Sequence, residues 1–140
     1  MDLVVDASVF FSALIKRGFA FDLLEALSDK GYNLYSPQYL LEEISSKRER
    51  LLKFSKLTNS ELNFVTEFLL DKIKIVPKSE YVHFFSEAKN LAPHTEDITY
   101  FALASRLRCP ILSDEKAFKK QSKVKVYSTS ELLKELGLKQ

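Results

Sequence analysis

The stretch Leu3-Val4-Val5-Asp6-Ala7-Ser8 constrains this chain more than any other. Three apolar residues run directly into a carboxylate, a small residue and a hydroxyl. The run is too short and too uniformly apolar for a turn of amphipathic helix. It reads as a strand buried on both faces, as at the centre of a parallel sheet. Asp6 then stands where the strand ends, and open α/β sheets bind their ligands at that edge. A carboxylate is costly to bury there unless it is paired or holds a metal. Asp is also a good helix N-cap. From this stretch alone, capping and function are both open.

Further strands alternate with helices along the rest of the chain. Strands are predicted at Tyr32–Ser36, Ile73–Val76, Pro110–Ser113 and Val124–Tyr127. Helices are predicted at Val9–Ile15, stopped by Lys16-Arg17-Gly18, and at Phe19–Asp29. Ser36-Pro37 reads as a helix start, with Ser at the cap and Pro at the first helical position. That helix carries Leu40, Glu43 and Ile44 and continues through Leu51, Leu52 and Phe54. Thr58-x-x-Glu61 and Ser128-x-x-Glu131 are capping boxes for two more helices. Ser79–Leu91 is predicted helical, and Thr95 is predicted to cap a helix over Glu96–Arg108. The last is apolar nearly all round and belongs in the core. The alternation implies a parallel sheet with helices on both faces, a three-layer α/β/α domain spanning residues 1–140.

Composition excludes several classes. One cysteine, Cys109, rules out an internal disulfide framework and a multi-cysteine zinc site, and fits a reducing cytoplasm. No apolar run approaches the roughly 20 residues of a membrane span. No basic segment followed by a long apolar run opens the chain, so no secretory leader is expected. No Gly-rich loop follows a strand, which argues against a dinucleotide or P-loop nucleotide site. A net charge of +2 neither demands nor excludes nucleic acid.

Four acidic positions stand out by context. Asp6 ends the first strand, Glu43 lies in the helix after the second, and Asp97 opens the most apolar helix. Asp114 and Glu115 follow the fourth strand. A parallel sheet brings these points to one edge. Two like charges about 4 Å apart repel by roughly 4 kcal/mol at an effective dielectric near 20. A hard divalent cation relieves that repulsion, and oxygen donors select Mg²⁺ or Mn²⁺ over zinc. Such an ion can activate water and stabilise the oxyanions of a phosphoryl displacement. Taken singly, each residue also has a plain explanation as a cap, a turn or a solvated face.

In this order and on these elements, the motifs resemble the PIN domain family over nearly the whole chain. They are Val4-Val5-Asp6-Ala7-Ser8-Val9-Phe10, Ser36-Pro37-x-x-Leu40-x-Glu42-Glu43-Ile44, Glu96-Asp97-Ile98-x-Tyr100-x-Ala102-Leu103-Ala104 and Pro110-Ile111-Leu112-Ser113-Asp114-Glu115-Lys116-Ala117-Phe118. The likeness is strongest to small prokaryotic and archaeal toxin-like PIN nucleases. It implies a flavodoxin-like fold and a Mg²⁺- or Mn²⁺-dependent endoribonuclease that hydrolyses RNA phosphodiester bonds. Asp6, Glu43 and Asp97 match three of the family's acids, with Ser8 and Ser113 as supporting hydroxyls. The fourth acid departs from the usual pattern: Glu115 stands where the family has Asp, with Asp114 one residue earlier, and both stay candidates.

The resemblance also implies an antitoxin partner for a toxin-type protein, and pairing into a homodimer. The other reading is a weak or inactive module of the same fold that binds RNA or a protein. Lys16, Arg17, Lys47, Arg48 and Lys116 are the cations placed to steer a phosphate backbone. Interleaved with Glu, most such cations are solvated faces. His83 and His94 have no partner at metal-ligand spacing, and the many Phe and Tyr residues mostly follow core spacing.

Overall fold

The computed structural model describes residues 1–137; positions 138–140 of the expected domain lie outside the described residues. Five parallel strands form one sheet in the order β3-β2-β1-β4-β5. They are β1 (Asp2–Val5), β2 (Asn33–Pro37), β3 (Ile73–Val76), β4 (Ile111–Leu112) and β5 (Val126–Tyr127). Leu3, Val4 and Val5 have no exposed surface, as a strand covered on both faces requires. Each such side chain contributes roughly 1.5–3 kcal/mol relative to exposure. The helices are α1 (Ala7–Lys16), α2 (Phe19–Asp29), α3 (Tyr39–Ser46), α4 (Arg48–Ser55), α5 (Asn59–Leu70), α6 (Phe85–Lys89), α7 (Ile98–Leu107) and α8 (Thr129–Glu135). α7 packs on β1, β2 and β4 with α6 beside it, while α1 packs against α2, α4 and α5, and α2 against α8. The strand order reverses between β1 and β4, which sets the ends of those two strands side by side.

Both capping boxes form as the sequence predicts. Thr58 and Glu61 exchange hydrogen bonds at the start of α5, and Ser128 and Glu131 do so at the start of α8. Other local signals give way to tertiary demands. Ser36-Pro37 does not open a helix. Pro37 ends β2 opposite Val76, and the Ser36 hydroxyl donates to the Val5 carbonyl at 2.7 Å. Proline is tolerated because the ladder bond there comes from the Gln38 N–H to the Val76 carbonyl. The expected long helix from Tyr39 breaks at Lys47, whose backbone leaves the helical range (φ −103°, ψ 14°) and joins α3 to α4.

The predicted helix over Ser79–Leu91 is two 3₁₀ turns followed by short α6. The run Tyr81-Val82-His83-Phe84-Phe85 is a weak helix former, and Tyr81 is buried between the turns. Thr95 does not cap: it lies inside a 3₁₀ turn that begins after extended His94. At the end of α1 the left-handed residue is Arg17 (φ 49°) rather than Gly18.

Candidate active site

Asp6 is the first residue beyond β1 and is only 3 % exposed. It occupies the N-cap position of α1, yet its side chain makes no capping bond. Its Oδ2 instead accepts from Ser8 Oγ at 2.7 Å and from Ser113 Oγ at 2.8 Å. Ser113 follows β4 and is itself buried. Its hydroxyl also accepts from the Glu115 N–H at 3.1 Å, so one side chain ties the first acid to the loop that carries another. Burial pushes the Asp6 carboxyl up; the two hydroxyls and the Ala7 N–H oppose this, and the charge of Glu115 adds to it.

Glu43 projects from α3 and is 6 % exposed. Tyr100, in the first turn of α7 and also buried, donates its hydroxyl to Glu43 Oε1 at 2.7 Å. Lys47 sits one turn further along with its Nζ 3.3 Å from Oε2 and 5.4 Å from the Phe11 ring centroid. Asp97 stands at the junction of a 3₁₀ turn and α7. Its carboxyl is pushed up to about 6, first by burial and then by the charge of Asp6, with Glu115 and Glu96 adding and His94 opposing.

Asp6, Glu43, Asp97 and Glu115 line one cleft of about 170 Å³, together with Ser8, Lys47, His94 and Tyr100. Four segments distant in sequence therefore deliver five carboxylates to one edge of the sheet, Glu96 beside Asp97 being the fifth. Among the described residues, no three His, Cys, Asp or Glu side chains stand in a closed metal-ligand cluster. The donor set is nevertheless the one a hard divalent cation takes: carboxylate oxygens, no thiolate, and two acids that burial first, and neighbouring carboxylates second, already raise.

The structure separates Asp114 from Glu115. Asp114 turns to the start of α8, where it accepts from the Thr129 N–H at 2.8 Å and from the Thr129 hydroxyl. It does not line the cleft; Glu115 does. Of the five candidate cations only Lys47 reaches the cleft wall. The Arg17 guanidinium donates to the carbonyls of Leu14 and Ser55, and that of Arg48 to the carbonyl and side chain of Asn59. Lys16 lies by a separate cavity with Asp114 and Thr129, and Lys116 opens an exposed 3₁₀ turn. Arg17 and Arg48 are thus engaged by acceptors that charge spacing alone does not reveal.

The cleft residues that the sequence reading assigned no role are Ala7, Phe11, Glu96, Tyr100 and His94. Tyr100 stands three residues after Asp97, one helical turn onto the same face, which was the available signal. His94 carries no signal of its own, since the chain brings it beside Asp97 only through the turn after Pro93.

The family profile described as PIN domain matches residues 4–137. This chain belongs to the PIN domain family, whose members are generally nucleases and typically depend on divalent metal. Its fold is similar to that of VapBC2 from Rickettsia felis bound to a DNA fragment from their promoter. The TM-score is 0.73 at 14% identity, covering 91% of this chain and 98% of that one. It is also similar to PAE2754 from Pyrobaculum aerophilum, with a TM-score of 0.65 at 13% identity over 98% and 90% of the two chains. No curated protein sequence matches. Among the described residues no helix is long and apolar enough to cross a membrane.

Proposed function

We propose that this protein is a Mg²⁺- or Mn²⁺-dependent endoribonuclease whose reaction takes place in the cleft between β1, α3, α7 and the loop after β4. The observation that carries this reading is the convergence of Asp6, Glu43, Asp97 and Glu115 on one cavity. These four carboxylates would hold the cation. When bound, the ion supplies a Lewis acid that acidifies water and offsets charge on the phosphate under attack.

The chain's own groups prepare the site. Ser8 and Ser113 hold Asp6 through two hydrogen bonds to the same carboxylate oxygen. Tyr100 fixes the rotamer of Glu43 from within the core, in the manner of an outer-shell partner. Lys47 places a cation at the cleft wall, where a phosphate backbone would pass. The seating of Glu115 in the cleft favours an active site over a degraded one.

The likeness to VapBC2 supports a toxin role with an antitoxin partner in the cytoplasm. The exposed aromatics Phe19, Phe54 and Phe64 supply apolar surface for such a protein, or for a second copy of the chain. Light scattering of the purified protein checks the dimer.

The test of the activity is cleavage of a fluorescent single-stranded RNA in Mn²⁺, with a chelator control and the Asp97→Asn protein beside it. Cleavage is expected only from the parent protein with metal present. Undiminished cleavage by folded Asp97→Asn protein would falsify the assignment.

A further inference from the structure

A second cavity, of about 280 Å³, opens beside the acidic cleft at the same edge of the sheet. It lies over the ends of β2 and β3, where Tyr39 begins α3, Lys78 follows β3, and Thr99 sits in the first turn of α7. α3 and α7 form the wall between the two spaces. Glu43 and Tyr100 line the cleft, while their chain neighbours Glu42 and Thr99 line the second cavity.

The lining is aromatic. Tyr39, Tyr81 and Phe85 contribute rings, and those of Tyr81 and Phe85 lie 6.0 Å apart at a tilt of 38°. Tyr81 is 1 % exposed and so is fixed in place. The Lys78 ammonium stands 5.4 Å from the Phe85 ring centroid. The Thr99 hydroxyl is buried and has no hydrogen-bond partner among the described residues. A buried hydroxyl left unpaired is destabilising, and a ligand group that pairs with it relieves this.

Aromatic walls with a few polar groups are how proteins hold a single unstacked base. The volume lies at the small end of ligand sites, with room for one ring system. Glu42 and Lys78 are both exposed at its rim; the carboxylate can only accept hydrogen bonds and the ammonium can only donate them. Together they suit a base that carries both an N–H donor and a keto oxygen. Guanine, cytosine and uracil carry both, and adenine lacks the keto oxygen.

We propose that this cavity is a nucleobase subsite, which seats one base of single-stranded RNA next to the acidic cleft and prefers a keto base (guanine, cytosine or uracil) over adenine. The proposal rests on the RNA-cleavage reading of the cleft and adds to it a source of sequence preference. The experiment is an NMR titration of the metal-free protein, following the Thr99 methyl signal, with the 5′-monophosphates of guanosine, cytidine, adenosine and uridine. The phosphate is common to all four, so any difference belongs to the base.

GMP, CMP or UMP is expected to move the signal at concentrations where AMP does not. Glu42→Gln, at an exposed position, is expected to weaken the preferred nucleotide about tenfold. An equal response to all four nucleotides, no response at Thr99, or unchanged preference in Glu42→Gln overturns the proposal. Cleavage of RNA is measured in parallel. Metal-dependent cleavage without a selective response at Thr99 removes the subsite and leaves the nuclease standing. A selective response without cleavage keeps the subsite and removes the nuclease.

Discussion

The acidic cleft and the start of α8 use the same carboxylate chemistry to opposite ends. At α8, Glu131 receives the Lys119 ammonium and the Ser128 N–H, which together hold its carboxyl down at about 2. In the cleft, burial and neighbouring carboxylates push Asp6 and Asp97 the other way. A capping carboxylate meets donors that the helix end must satisfy in any case. A cleft carboxylate meets other carboxylates. The first arrangement stabilises the fold; the second weakens the metal-free fold and leaves negative charge unspent for a ligand. Uncompensated charge of that kind is a physical mark of a functional site.

Four measurements would break or sharpen this contrast. The largest effect is expected on cleavage rate. Asp6→Asn or Asp97→Asn should lower it by about 10³-fold or more, since several kcal/mol of transition-state stabilisation are removed at tenfold per 1.36 kcal/mol. Single-turnover assays at saturating Mn²⁺ check this.

Next, Tyr100→Phe should lower Mn²⁺ affinity or cleavage by about 10–100-fold, because Glu43 loses the donor that orients it. If metal titration of this variant matched the parent, Tyr100 would be a core residue and nothing more.

Ser128→Ala should act in the opposite sense. It removes the α8 cap and should cost about 1 kcal/mol of stability in denaturant melts while leaving cleavage per folded molecule unchanged.

The smallest effect concerns pH. Asp6 and Asp97 have folded-state pKa values above their ordinary ones, so the metal-free fold takes up protons more readily than the unfolded chain. Its melting temperature should therefore rise as pH falls from 7 through about 6 toward 5. Glu131, depressed to about 2, contributes stability that is present above its ordinary value near 4.5 and is lost as pH falls from there toward 2. The two regions thus predict a stability maximum near pH 5 by scanning calorimetry. Metal-free Asp6→Asn protein should melt a few degrees higher than the parent at pH 7, and this gain should shrink at pH 5. A parent melting temperature that fell steadily from pH 7 to pH 5 would show that the cleft is not electrostatically strained.

Much of this was readable along the chain, because it depends on near neighbours. The buried character of Leu3–Val5 follows from three apolar residues in a row. The two capping boxes follow from residues three apart. The edge at which Asp6, Glu43 and Asp97 gather follows from the strand–helix alternation, since parallel strands share one direction. Signals of comparable local strength failed where a distant partner made the competing claim. Ser36 looks like a cap, but β1 lies beside it, and the Val5 carbonyl takes its hydroxyl. Charge spacing likewise does not show that the Arg17 guanidinium donates to the Leu14 and Ser55 carbonyls, or that of Arg48 to Asn59 at the start of α5.

The sequence by itself determined that a parallel α/β/α domain would present a set of acids at one edge, because periodicity and strand direction are local or topological properties. Only the tertiary structure chose between adjacent Asp114 and Glu115. Along the chain the two are equivalent neighbours after β4, but in space Thr129 arrives at the start of α8 and engages Asp114. Ser113 meanwhile binds the Glu115 N–H and Asp6 together and leaves the longer carboxylate at the cleft. Hydrogen bonds from residues 15 and 107 positions away settled that choice, and contacts at such separations leave no mark in a local pattern.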